Sequence, residues 1–158
     1  MKHFALLLSL FFISCGAEAK SKTLAEYINE HCIVKCVDEL TLLRSTVRAA
    51  DEHDLDFRVL IAIVKVESGF RLNARSPSSV GLAQINLRWH RDKFNRHPLN
   101  PMENVRVGAV VLNECLIRNQ GRLSKAFRCY NGLGAGQDKD YVTKVQKALS
   151  EIRRLSFV

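Results

Sequence analysis

The stretch "FRVLIAIVKVES", residues 57 to 68, constrains the fold more than any other part of this chain. Its apolar residues occupy nearly the whole circumference of a helix, and such a helix must be buried by neighbours on all sides. Asp56 stands just before it, where a short acidic side chain caps a helix start. We therefore expect a central helix surrounded by others, with an ionisable group, Glu67, near its end.

Several other segments carry helix signals. "TLAEYINEHCIVKC" begins with Thr23 three residues before Glu26, which is the capping-box pattern of a first helix. A second helix is expected over about residues 37 to 53. "NPMENVRVGAVVLNECLIRNQG" begins with an asparagine cap and a proline at the first helical position. "LSKAFRCYN" and "DYVTKVQKALSEI" predict two further helices.

Between Gly69 and Pro101 the helical pattern breaks into short polar and glycine-containing pieces. A small hairpin is expected near "VGLAQIN", and an irregular region of this kind is a natural place for a cleft. Little else predicts strands. The chain is therefore expected to be mainly α, with α+β, in the sense of one small hairpin, as the alternative class.

The start of the chain predicts export. "MKHFALLLSLFFISCGAEA" combines a basic beginning, a short apolar run and a small-residue cleavage site at Ala17-Glu18-Ala19, so residues 1–19 are interpreted as a signal peptide. "FISCG" also resembles a lipoprotein cleavage box with Cys15 as the lipidated residue. No later segment reaches the roughly 20 apolar residues of a membrane span. We expect a periplasmic or secreted chain without a transmembrane segment.

The remaining cysteines are Cys32, Cys36, Cys115 and Cys129, an even set that predicts two disulfides in an exported protein. Four cysteines allow three connectivities. A bond between Cys32 and Cys36 would fit poorly if both lay on one helix, so we expect cross-links from that segment to the C-terminal half. The spacing typical of metal sites does not accompany these cysteines, and neither a metal nor a cofactor is predicted.

The net charge is +8, and removal of the signal peptide leaves it unchanged because one Lys and one Glu are lost together. The basic residues are scattered rather than gathered into an arm for nucleic acid, and export also argues against nucleic acid as a partner. An acidic polymer outside the cytoplasm suits this charge. A merely soluble cationic surface explains it equally well.

Glu67 shares its helix face with Ile63 and Val64, and Arg71 is the nearest cation in the following turn. Apolar neighbours raise the pKa of a carboxyl group, as a general acid working near neutral pH requires. A glutamate at the exposed end of a helix is the alternative explanation of the same pattern.

Five ordered segments resemble the lytic transglycosylase domain of the soluble-lytic-transglycosylase type, within the lysozyme-like superfamily. They run from about Leu55 to Leu149 and are "LIAIVKVESGFRLNARS", "GLAQIN", "NPMENVRVGAVVL", "CYNGLGAG" and "DYVTKV". The resemblance implies a single lysozyme-like helical domain with a small hairpin region beside its cleft. It places this domain at residues 55–158, preceded by a helical segment at residues 20–54.

The resemblance also implies roles for individual residues. Glu67 matches the catalytic acid and base, and Ser68 matches the serine that supports it. Substrate contacts are implied for the cleft residues Ser76, Gln84, Tyr130 and Asn131. The sequence departs from the family pattern at Ala83, Cys129, Val111 and Gln137, where Met, Ala, Tyr and Glu are common.

The implied reaction is cleavage of peptidoglycan glycan strands between N-acetylmuramic acid and N-acetylglucosamine, with closure of a 1,6-anhydro ring. Most glycosidases use two carboxylates, but Asp92 lies among cations and Glu103 begins a helix, so a mechanism with one acid is favoured. Tyr130 is expected to hydrogen-bond Glu67 or the substrate acetamide. The domain would open the wall for secretion, conjugation or pilus machinery, or for a phage. A hydrolytic muramidase and a peptidoglycan-binding secretion accessory with weak activity are the alternatives.

Overall fold

A computed structural model describes residues 21–132 and 140–157; the predicted signal peptide and Cys15 lie outside them. The described part contains seven α-helices, one two-stranded sheet and a 3₁₀ turn at Arg91–Lys93. The helices are α1 Leu24–His31, α2 Glu39–Asp51, α3 Phe57–Ser68, α4 Leu87–His90, α5 Pro101–Arg118, α6 Leu123–Tyr130 and α7 Tyr141–Ile152, and the strands are β1 Ser79–Val80 and β2 Ile85–Asn86.

Helix α3 is the centre of the molecule, as its sequence predicts. It packs against α7, α2 and α5, and every side chain from Val59 to Val64 is buried. Asp56 caps its start by accepting a hydrogen bond from the Arg58 backbone N–H at 3.0 Å. Gly69 ends the helix in the left-handed conformation, at φ 56°, which glycine adopts without a steric cost. The mainly α class is thereby confirmed.

The other helices begin where the capping residues indicate. Thr23 and Glu26 form the predicted capping box of α1. Helix α2 is shorter than expected, because the Asp38 carboxylate caps it and residue 37 stays outside. Asn100 caps α5 by accepting from the Glu103 N–H. Among the described residues, no helix combines the length and apolar character that a membrane crossing requires.

The disulfides contradict the expected cross-links to the C-terminal half. Cys32 pairs with Cys36, and Cys115 with Cys129, at Cα–Cα distances of 5.8 and 5.7 Å. Helix α1 ends before Cys32, whose backbone is extended at φ −144°. The two cysteines are therefore not on one helix, and the geometric objection to their pairing does not apply. Each bond closes a short loop instead of joining the two halves of the chain.

The hairpin of β1 and β2 is fastened to α5 by the buried side chain of Asn104. Its amide nitrogen donates to the carbonyls of Val80 and Pro98 at 3.0 and 2.8 Å, and its oxygen accepts from the Ala83 N–H at 2.8 Å. Gly81 turns the hairpin at φ +79°, and a Cβ there would lie only 2.3 Å from the Asn104 amide nitrogen. The turn must therefore be glycine, since both conformation and space require it.

Replacing Asn104 with Ala should destabilise the fold, because it leaves three buried backbone groups without partners. We expect a loss of about 2–4 kcal/mol in the free energy of unfolding, measured by urea denaturation. Asn113→Ala is the matched control on the same helix, since Asn113 makes only a long 3.4 Å contact to His53. Equal losses in the two variants would show that Asn104 does not fasten the hairpin.

Candidate active site

The hairpin, α4, the second half of α5 and the end of α6 enclose a groove of about 550 Å³, hereafter the groove. Glu67 reaches it from the last turn of α3. The groove also receives most of the side chains that the sequence predicts for a substrate site, namely Ser76, Gln84, Tyr130 and Asn131. Segments widely separated along the chain thus meet at one surface.

Glu67 is only partly exposed, and burial raises the pKa of its carboxyl group to about 7. The Tyr141 hydroxyl donates a hydrogen bond to Glu67 Oε1 at 2.6 Å and acts in the opposite direction, because it favours the charged carboxylate. Burial is the larger effect. Glu67 therefore keeps its proton up to nearly neutral pH and still has a partner that stabilises the ionised form.

Tyr130 does not hydrogen-bond Glu67, which corrects one of the two expected roles. Its hydroxyl donates to the Ala83 carbonyl at 2.9 Å and so ties α6 to the hairpin. Gly108 of α5 permits this contact, since a Cβ there would come within 3.2 Å of the Tyr130 hydroxyl and 2.9 Å of the Ala83 Cβ. The hydroxyl partner of Glu67 is Tyr141, 74 residues along the chain.

Sequence reasoning missed Tyr141. The segment "DYVTKV" resembles a helix of the family, but a tyrosine at the start of a helix is commonly a core residue. Tyr141 is indeed buried among the core side chains of the domain. Only the packing of α7 against α3 brings its hydroxyl to the carboxyl group of Glu67.

The remaining predicted residues differ in what they present to the groove. The Gln84 backbone is left-handed at φ 45°, and its side-chain amide donates to the Gly81 carbonyl at 2.9 Å. Ser76 accepts a hydrogen bond from the Ser79 N–H at 3.1 Å. Ser68 is buried, and its hydroxyl donates to the Val64 carbonyl within α3, so it faces the core instead of the groove.

A second carboxylate, Glu114, also lines the groove and was not singled out from the sequence. The Lys93 ammonium donates to Glu114 Oε1 at 2.6 Å and forms an ion pair with it. Glu103 is engaged elsewhere, since it is buried and bound to Arg106 at 2.7 Å. Within residues 21–132 and 140–157, no group of three or more His, Cys, Asp or Glu side chains could hold a metal ion.

The Cys115–Cys129 disulfide forms part of the groove wall. It joins α5 to α6 immediately before Tyr130, at a position where the family pattern has alanine. Cys115 is buried in the main core, so the bond anchors the end of α6 to the rigid part of the domain. The departure at Cys129 therefore adds a constraint on Tyr130 and Asn131.

The family model for the transglycosylase SLT domain matches residues 45–153. The chain belongs to the transglycosylase SLT domain family. It is similar to the membrane-bound lytic murein transglycosylase F of Shewanella halifaxensis (strain HAW-EB4), with 29% identity over 130 residues that cover 77% of this chain and 27% of the relative.

The fold of this SLT-domain chain is similar to that of the lytic transglycosylase Slt from Pseudomonas aeruginosa, solved as an inactive mutant in which a glutamate is replaced by glutamine. The TM-score is 0.53 at 19% identity, and the match covers 70% of this chain and 22% of that one. The chain thus spans about a quarter of the length of these relatives.

The raised pKa of Glu67 predicts a specific pH dependence of stability. Well below pH 4.5 the carboxyl group is protonated in both the folded and the unfolded chain, so its burial carries no charge penalty. This penalty on stability increases as the pH rises towards about 7 and is complete above it. Relative to wild type, Glu67→Gln should therefore gain about 2–4 kcal/mol in unfolding free energy between pH 4 and pH 8, measured by urea denaturation. A relative stability that does not change with pH would contradict the burial of this group.

Removing the Tyr141 hydroxyl should raise the pKa of Glu67 above about 7, because the hydrogen bond that favours the carboxylate is lost. We expect this result for Tyr141→Phe in a titration of the glutamate carboxyl carbons by NMR. Tyr130→Phe is the control, since its hydroxyl binds Ala83 and should affect the Glu67 pKa less. An unchanged or lower pKa in Tyr141→Phe would refute the assignment.

Proposed function

We propose that the chain is a peptidoglycan lytic transglycosylase that cleaves the β-1,4 bond between N-acetylmuramic acid and N-acetylglucosamine and leaves a 1,6-anhydro muramoyl end. The proposal rests on the carboxyl group of Glu67. This group lies in the groove of an SLT-domain chain, and its pKa is raised to about 7. A group of this kind can donate a proton at neutral pH, as a general acid must.

In the first step, protonated Glu67 donates its proton to the oxygen that links the two sugars. The bond between this oxygen and the muramoyl C1 breaks, and the N-acetylglucosamine portion leaves with a free hydroxyl group. The substrate's own acetamido oxygen supports the positive charge that develops at C1. Tyr141, hydrogen-bonded to Glu67 Oε1, stabilises the carboxylate that this step creates.

In the second step, the Glu67 carboxylate takes the proton from the muramoyl 6-hydroxyl, and O6 forms a bond to C1. The anhydro ring closes, the acid is regenerated, and no water is consumed. One carboxyl group that alternates between acid and base is sufficient for this sequence. Ser76, Gln84, Tyr130 and Asn131 would position the sugars, since all four line the groove around Glu67.

The alternative is a hydrolytic muramidase, and Glu114 is the observation that favours it. A second carboxylate in the same groove could activate a water molecule, as in most glycosidases. Its ion pair with Lys93 occupies one oxygen and argues for a role in binding or structure instead. A peptidoglycan-binding accessory with weak activity would need neither carboxylate for its binding to the wall.

The products separate these possibilities. Wild-type protein should release muropeptides with anhydro ends from purified sacculi, Glu67→Gln should lose at least about 10²-fold in rate, and Glu114→Gln should retain the reaction, by mass spectrometry of the released fragments. Reducing ends that disappear in Glu114→Gln would establish the muramidase. Equal wall binding and equal phenotype in wild type and Glu67→Gln would favour the accessory.

The predicted signal peptide supports a setting for the reaction outside the cytoplasm. Export through the predicted signal peptide at residues 1–19 would bring the chain to its polymer in the periplasm or outside the cell. Lipidation at Cys15 would hold it at a membrane, and the relative from Shewanella halifaxensis is named membrane-bound. The domain at residues 55–158, with a helical segment at residues 20–54 before it, would open the wall locally. It would do so for secretion, conjugation or pilus machinery, or for a phage.

A further inference from the structure

Trp89 lies in the groove, and no step of the proposed reaction uses it. It is the only tryptophan of the chain, and 66% of its surface is exposed. The Arg88 guanidinium lies over its ring, 5.0 Å from the centroid. An aromatic ring this exposed contributes little to the core. It offers an apolar platform beside the path of a saccharide.

Arg118 lies farther along the same groove. Gly108, Val111, Cys115 and Arg118 follow one face of α5, from the turn that contacts Tyr130 to the end of the helix. The helical rise places Arg118 about 15 Å beyond Gly108 along the helix axis. Arg118 therefore lies at the opposite end of this α5 face from Gly108 and the Tyr130 hydroxyl.

Among the described residues that line the groove, Arg118 is the only arginine or lysine, and Arg88 lies beside Trp89 outside this lining. Lys93 and Glu114 neutralise each other in their ion pair. Burial, followed by the charge of Lys93, lowers the pKa of His90, so its imidazole is uncharged at neutral pH. Across the described ranges 21–132 and 140–157, the Arg118 guanidinium forms no ion pair or side-chain hydrogen bond. An arginine in this state is available for a carboxylate.

We propose that Trp89 and Arg118 form a subsite for the peptide-bearing part of the glycan: a sugar ring stacks on Trp89, and a carboxylate of the muramoyl-linked peptide pairs with Arg118. This inference rests on the proposed function and deepens it. The groove would then prefer strands that still carry their stem peptides to strands from which the peptides have been removed. Arginine suits this role because its planar guanidinium binds a carboxylate through two parallel hydrogen bonds.

Because the chain has one tryptophan, its fluorescence reports directly on the subsite. The probes are two soluble peptidoglycan oligosaccharides of equal length, one with and one without stem peptides, titrated into mature Glu67→Gln protein to prevent turnover. We expect a saturable change of tryptophan emission with both ligands, and a dissociation constant about threefold to fivefold lower for the peptide-bearing one.

Arg118→Ala in the same background should remove the preference for the peptide-bearing ligand. Arg44→Ala is the matched control, an exposed helical arginine outside the groove, and should retain the preference. In the otherwise wild-type enzyme, Trp89→Ala should raise KM by about threefold to tenfold and change kcat less. An effect on KM that is larger than the effect on kcat distinguishes a binding platform from a merely structural residue.

Three results would overturn the subsite: an unchanged emission on addition of the oligosaccharides, equal affinity for the two ligands, or a preference that survives Arg118→Ala. Each of them is compatible with an active enzyme. Conversely, wild-type protein that cuts no sacculi would refute the proposed reaction, while the ligand preference in Glu67→Gln would still establish the subsite. The two proposals can therefore fail separately.

Discussion

The chemistry of this molecule depends on the partial burial of one carboxyl group at the end of its most apolar helix. Water would stabilise the charged form of Glu67, and the surrounding protein removes much of that stabilisation, which raises its pKa to about 7. The hydroxyl of Tyr141 opposes this effect without cancelling it. The carboxyl group is thus poised between the two protonation states that a one-acid mechanism uses in turn.

Contacts elsewhere in the domain hold the segments of the groove in place around Glu67. Asn104 fastens the hairpin to α5 through three hydrogen bonds, and the hairpin in turn offers the Ala83 carbonyl to Tyr130. The Cys115–Cys129 bond holds the end of α6 against α5 on the same side. The hairpin and α6, two walls of the groove, are therefore connected to α5, and α5 packs against α3. The groove keeps its shape because its irregular segments are held by a helix.

Local signals in the sequence were sufficient for the starts of α1, α3 and α5. The caps at Thr23, Asp56 and Asn100 act between residues that are neighbours along the chain, so their spacing alone identifies them. The disulfide pairing could not be obtained in this way. The pairing depended on whether α1 continues past Cys32. The exact last residue of a helix cannot be read from the sequence, and the spacing of the cysteines does not indicate it. The 3₁₀ turn and the short helix α4 were missed because elements of three and four residues are too short to show an apolar periodicity.

The sequence by itself determined that a buried helix would carry an acid at its end, because an apolar circumference permits no other placement and five ordered segments resemble one enzyme family. Only the tertiary structure decided which hydroxyl binds that acid and which carboxylate, aromatic ring and arginine share its groove. Tyr141, Glu114, Trp89 and Arg118 come from three different helices. Their proximity is a property of how those helices pack, and no periodicity along the chain encodes it.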